Sequence, residues 1–153
     1  DLLIDAKGTL LAYDDTTFYA KLVSGEASLV HAWDGWCNYG IAENAEIKYT
    51  IPSEASDLWV DTMVIMKGSE NKDAAYDFIN YILDADTHRW AAENILNKVP
   101  NQPAMEGLDA SLIESFPNMG MAPEDMLKFE QLRDVGEAQR AYARLVSEIR
   151  AAN

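Results

Sequence analysis

The sequence contains a single cysteine, Cys37, so it has neither a disulfide framework nor the cysteine pair of a redox or zinc motif. Imidazole is almost as scarce. Neither His31 nor His88 stands at a spacing from Cys37 that marks a thiol nucleophile, so Cys37 is expected to pack. Cations are few as well: 12 Lys and Arg face 26 Asp and Glu, a formal net charge of −14. Phosphate binding draws on clustered Lys and Arg, which makes nucleic acid a poor partner and favours neutral or cationic ligands. No apolar run approaches the ~20 residues that cross a bilayer, and the opening "DLLIDAKGTLL" lacks a basic signal-peptide start, so the reading is of a soluble chain. Glycine-rich phosphate loops, an HExxH helix and an EF-hand loop are also missing, and no cofactor or metal is expected.

Of the 153 residues, 48% are hydrophobic, enough for a sizeable core in one domain. Residues 1 to about 11 read as a helix end running into a loop at Gly8. "TTFYAKLVS" (16–24) is a short helix stopped by Gly25. Three strands are predicted: "EASLVHAW" (26–33), "AEIKYTIP" (45–52) with alternating Ile47, Tyr49 and Ile51, and "LWVDTMVIM" (58–66). "SENKDAAYDFINYIL" (69–83) puts Ala74, Ala75, Phe78, Ile79 and Ile82 on one helical stripe, with Ser69 or Asn71 as its N-cap. A second helix follows over 84–96 with Asp86 as N-cap, and "NKVPNQPAMEG" (97–107) is the strongest loop or hinge signal. Helices are expected near 109–116, from about Pro123 to Leu132, and from Gly136 to Ala152. The last carries Ala138, Ala141, Tyr142, Leu145 and Ile149 on one face. The mixture is α/β without the alternation of a doubly wound nucleotide fold.

Three stretches could carry chemistry, one of them "KVPNQPA" (98–104) in the predicted loop. "HAWDGWCNYG" (31–40) gathers Trp33, Asp34, Trp36 and Tyr39 in what reads as a loop at a strand end, where α/β proteins build ligand sites. In "LWVDT" (58–62), strand alternation puts Trp59 and Asp61 on one face. An isolated Trp more often packs than binds, and Asp34–Gly35 is a turn signal in its own right. Asp61 among Val60, Met63, Val64 and Ile65 is expected to be shielded from solvent and to need a cationic partner, internal or bound. Indoles beside carboxylates form a cation site: the carboxylate hydrogen-bonds an ammonium and the ring faces add roughly 0.5–2 kcal/mol while covering methylenes. An enzyme of α/β hydrolase or transferase type using Asp61, Asp34 and His31 is the competing reading, though no spacing here supports a His–carboxylate contact.

In their order along the chain, "SGE" (24–26), "WDG" (33–35), "WVD" (59–61), an "NKxA" helix start (71–74), "VPN" (99–101) and "DVG" (134–136) resemble the spermidine/putrescine-binding proteins of bacterial ABC importers. The resemblance spans nearly the whole chain. It implies an α/β, type II-like periplasmic solute-binding fold with two lobes that close on ligand, of which this chain corresponds to the C-terminal half. By that analogy residues 1–58 and 106–153 belong to the second lobe, while 59–105 return to the first. The N-terminal half of the same protein would complete both. The resemblance further implies that Trp33 and Trp59 stack on the ligand, with Asp34 nearby, and that Asp61 grips an amine. The partners would be a polyamine and a membrane permease, and the location periplasmic or extracellular, with a lipid anchor as one option. The same fold with a different small solute is the nearest alternative. Two positions depart from the pattern: Asn97 or Lys98 stands where a loop Tyr is usual, and Leu132 where a Gln often precedes "DVG". Lys98 near the pocket would oppose a second ammonium group.

Overall fold

Asp84 sets the boundary between the two longest adjoining helices. In the computed structural model, which describes residues 2–54 and 56–152, helix α4 (Lys72–Leu83) ends there and helix α5 (Ala85–Ile95) begins. The Asp84 carboxylate accepts from the amides of Asp86 and Thr87, both at 3.1 Å, satisfying two of the donors that a helix start leaves free. These bonds hold its carboxyl below the usual range, the Thr87 amide contributing most. The N-cap is therefore Asp84, not Asp86, which lies inside the first turn. Asn71 occupies the start of α4 without a side-chain cap, and Ser69 Oγ accepts from the Asn71 amide instead.

The remaining helices are short. α1 is Leu2–Ala6, α2 Phe18–Val23, α3 Asp34–Glu43, α6 Gln102–Glu106, α7 Ala110–Ser115 and α8 Pro123–Met126; α9 is Gln139–Ala151. Gly25, at φ 77°, takes the left-handed conformation just past α2 that only glycine adopts at little cost. The expected loop at 97–107 is half helix: Asn101 caps α6 by accepting from the Ala104 amide, and Pro103 sits in the first turn, where its missing N–H costs nothing. The helix expected from Pro123 to Leu132 stops after α8, and the chain turns into a strand.

Strand structure is much sparser than the sequence predicts. Among the described residues the sheet consists of two parallel strands, β1 (Asp57–Leu58) and β2 (Glu130–Gln131), in register Asp57 with Glu130 and Leu58 with Gln131. The stretches 26–33 and 45–52 have no regular secondary structure, and 59–66 continues β1 without a ladder. Alternation of apolar residues gives a strand only where a neighbouring chain accepts its backbone hydrogen bonds.

The core is a cluster of Ala92 from α5 with Leu108, Phe116 and Met119, flanked by Ile41, Leu96, Val99, Met105, Leu112 and Ile113. Met119, 1% exposed, is its largest fully buried side chain. Around it much apolar surface is uncovered. On α4, Ala75, Ile79 and Ile82 of the expected stripe are half-buried, whereas Phe78 is exposed together with Tyr76, Tyr81 and Leu83. On α9, Tyr142, Leu145 and Val146 are exposed, and the helix end is tied down by Lys7, whose ammonium donates to the carbonyls of Ile149 and Ala152.

Candidate ligand-binding site

The stretch read as a strand-end loop is the helix α3, with Trp33 at its N-cap position and Asp34 opening its first turn. Asp34 Oδ1 accepts from the Gly35 amide at 2.9 Å, so a carboxylate meets the positive end of the helix. The buried face of α3 presents Gly35, Cys37, Asn38 and Gly40. Gly35 serves close approach and not turning, since a side chain there would collide with the Asn97 carboxamide, whereas at Gly40 a Cβ would make only ordinary contact with Ile47 and Tyr19.

Trp33 and Trp36 lean on Phe18, which is 3% exposed, with ring centroids 5.9 and 6.2 Å away. Tyr19 and Tyr39 complete the cluster, at 5.5 and 5.7 Å from Trp36. All these pairs are tilted or edge-on, the arrangement favoured by ring quadrupoles. Packing and exposure coexist here. Trp33 is held by Phe18 yet 42% exposed, so an indole surface of fixed orientation faces outward.

The end of α5 is stitched to α3. Leu96 takes the left-handed conformation at φ 51°, and its carbonyl accepts from Asn38 Nδ2 at 2.8 Å. Tyr39 OH donates to the Ile95 carbonyl at 3.0 Å. Two residues on, the Lys98 ammonium forms an ion pair with Asp34 Oδ2. The carboxylate beside Trp33 thus already has an internal cation. Tyr49, from the 45–52 stretch, senses the same surroundings: burial first, then Asp34, Cys37 and Asp57, push its phenol up to about 12.

Trp59 and Asp61 are placed differently. Trp59 is 45% exposed and makes no ring contact among the described residues. Asp61 is exposed, contrary to the expected shielding, and among the described residues it has neither a hydrogen-bond nor an ion-pair partner. Because β1 ends at Leu58, no ladder fixes Trp59 and Asp61 on one face, and solvent supplies the partner that burial would have demanded. His31 is exposed too, and it pairs with neither Asp34 nor Asp61. Two cavities among the described residues lie away from Trp59 and Asp61. One, about 610 Å³, is lined by Gly136, Glu137, Gln139 and Arg140. The other, about 120 Å³, lies among Ile41, Tyr49, Glu114 and Asn118. Among the described residues no cluster of three His, Cys, Asp or Glu could hold a metal, and no helix is long and apolar enough to cross a membrane.

Residues 3–114 match the model of a family described as bacterial extracellular solute-binding protein. The chain belongs to this family. Among its relatives is the spermidine/putrescine-binding periplasmic protein 1 of Haemophilus influenzae, 27% identical over 154 positions that cover 98% of this chain and 41% of the relative. The putrescine/cadaverine-binding protein of Pseudomonas aeruginosa is 28% identical, covering 97% of this chain and 44% of its own length. The putrescine-binding periplasmic protein PotF of Escherichia coli is 24% identical, covering 80% of this chain and 34% of that protein. The chain therefore spans less than half the length of these family members. No solved structure matches it. The resemblance carried by "WDG", "WVD" and "DVG" is to this same group of polyamine-binding family members.

Proposed function

We propose that the chain is part of the extracytoplasmic solute-binding component of an ABC importer, which captures a polyamine or related small organic cation between two lobes and delivers it to a membrane permease. The observation that carries this reading is the outward-facing Trp33, fixed on Phe18, in a family whose named relatives bind spermidine, putrescine and cadaverine. Trp33 and Trp59 supply ring faces that cover the methylenes and attract the cation, and Asp61, charged and without an internal partner among the described residues, grips an ammonium. Asp61 and Trp59 become a pocket wall when the rest of the family fold closes over 59–66. Residues 1–58 and 106–153 contribute to one lobe and residues from 59 toward 105 to the other. The exposed faces of α4 and α9 are where the N-terminal part of the fold packs, since apolar patches of this extent are rare on a free surface.

Titration calorimetry of the family-length protein with putrescine and spermidine tests the reading. Binding is expected, with Asp61→Asn weakening it by ~1.5–3 kcal/mol, the scale of a hydrogen bond to a charged group. Absence of heat with every polyamine, together with an unchanged melting temperature, rejects the ligand class. Turnover of a substrate that Asp61→Asn abolishes would turn the case toward an enzyme.

A further inference from the structure

We propose that Lys98 determines specificity at this site: it holds an ammonium on the Asp34 carboxylate and so reserves the Trp33 end of the cleft for an uncharged part of the ligand. The inference rests on the polyamine-type reading above and narrows it to cations whose charge is taken at Asp61, with an apolar or neutral group lying along Trp33.

The pair is not a loose surface contact. Its side chains are 18% (Lys98) and 25% (Asp34) exposed, and it joins positions 64 residues apart in the chain. The turn that carries Lys98 is fixed on both sides. Asn38 holds the Leu96 carbonyl, Tyr39 holds the Ile95 carbonyl, and the Asn97 carboxamide fills the space over Gly35. The backbone at Lys98 is therefore held where its ammonium reaches Asp34. A ligand ammonium that took Asp34 would have to displace it and leave a partly desolvated cation beside itself, which like-charge repulsion opposes. Asp34, read from sequence as part of an amine site, is on this view already neutralised, and the indole next to it offers a ring face without a free carboxylate.

A matched pair of probes isolates the effect, because 1-aminobutane and 1,4-diaminobutane share a chain and differ by one ammonium. Their dissociation constants are measured on the family-length protein for wild type, Lys98→Met, Asp34→Asn and the double variant. Lys98→Met keeps the apolar stem and frees Asp34, so it should tighten the diamine roughly tenfold or more while leaving the monoamine within about twofold. Asp34→Asn strands the Lys98 charge and should weaken both ligands, the diamine more, and the double variant should return the diamine to near its wild-type affinity. Lys98→Gln should move the ratio in the same direction as Lys98→Met, which guards against a packing effect of one substitution. Amine binding with an unchanged diamine-to-monoamine ratio in both Lys98 variants overturns the inference and leaves the polyamine reading standing. No amine binding in any of the proteins overturns both.

Discussion

Gly35→Ala tests whether the α5 turn really rests on the first turn of α3. A Cβ at Gly35 would collide with Asn97 Oδ1 and lie 2.6 Å from its Cγ and 2.7 Å from its Nδ2, all far inside van der Waals contact. The obstacle is the end of a side chain and not backbone, so it can rotate away. Overpacking of this kind costs roughly 1–3 kcal/mol, and the lower half of that range applies where a side-chain tip can yield. Against it stands the helix preference of Ala over Gly, up to about 1 kcal/mol in a helix interior and less in a first turn. The single variant should therefore be destabilised by about 1 kcal/mol. In an Asn97→Ala background the colliding atoms are gone and only the propensity remains, so the same change should stabilise slightly. The assay is urea unfolding of the four proteins followed by Trp fluorescence, since Trp33 and Trp36 flank the contact. A coupling of about 1–2 kcal/mol is expected. Additivity within ~0.5 kcal/mol would refute the contact, and with it the fixed turn that carries Lys98.

Met119→Ala should lower stability by about 2–5 kcal/mol, read as a drop in the urea midpoint, because Met119 is fully buried in the cluster with Ala92, Leu108 and Phe116. A change under ~1 kcal/mol would mean the cluster is not the core. Tyr49 gives an alkaline signature. Its phenol stays neutral in the folded chain up to about 12, whereas the unfolded chain ionises near 10.0, so the folded state binds more protons between those values. Stability is present in full below the lower value and falls as pH rises through the window, and Tyr49→Phe should flatten that fall in unfolding measurements at successive pH values. The Cys37 thiol is buried, and burial, then the Asp34 charge, push it up; a thiol reagent should label it only as fast as the chain opens, and rapid native labelling would contradict its placement.

What the sequence made legible was whatever depends on neighbours within one or two turns. The helix α4, the stop at Gly25 and the short helix α7 follow from local periodicity and turn chemistry, whereas α6 lies in the stretch expected to be a loop. The N-cap of α5 was missed by two residues because Asp84 and Asp86 are both carboxylates at the same boundary, and only the hydrogen bonds tell them apart. The stretch at 31–40 looked like a loop because it follows a predicted strand and Asp34–Gly35 is a turn signal. In three dimensions both Gly35 and Gly40 lie inside a helix, and Gly35 makes room for the Asn97 carboxamide. The strands were unreadable for the opposite reason, since their apolar alternation is intact but the ladder that would use it is not formed among the described residues.

The candidate site divides along the same line. Trp33 drew notice as a candidate because the aromatic residues around it are concentrated in sequence, and its exposed face is what packing on Phe18 leaves over. Asp34 was legible as a carboxylate but not as a paired one: no window of sequence joins it to Lys98, and the pairing changes its chemistry from an anionic grip to a neutral wall. Asp61 went the other way. Read as shielded and therefore needing a partner, it is exposed and without one among the described residues, so its charge is the one of the two available to a cation. The two carboxylates that composition alone would treat as equivalent are thus separated by a single lysine, and the proposed specificity puts a ligand's ammonium at Asp61 and its neutral chain along Trp33.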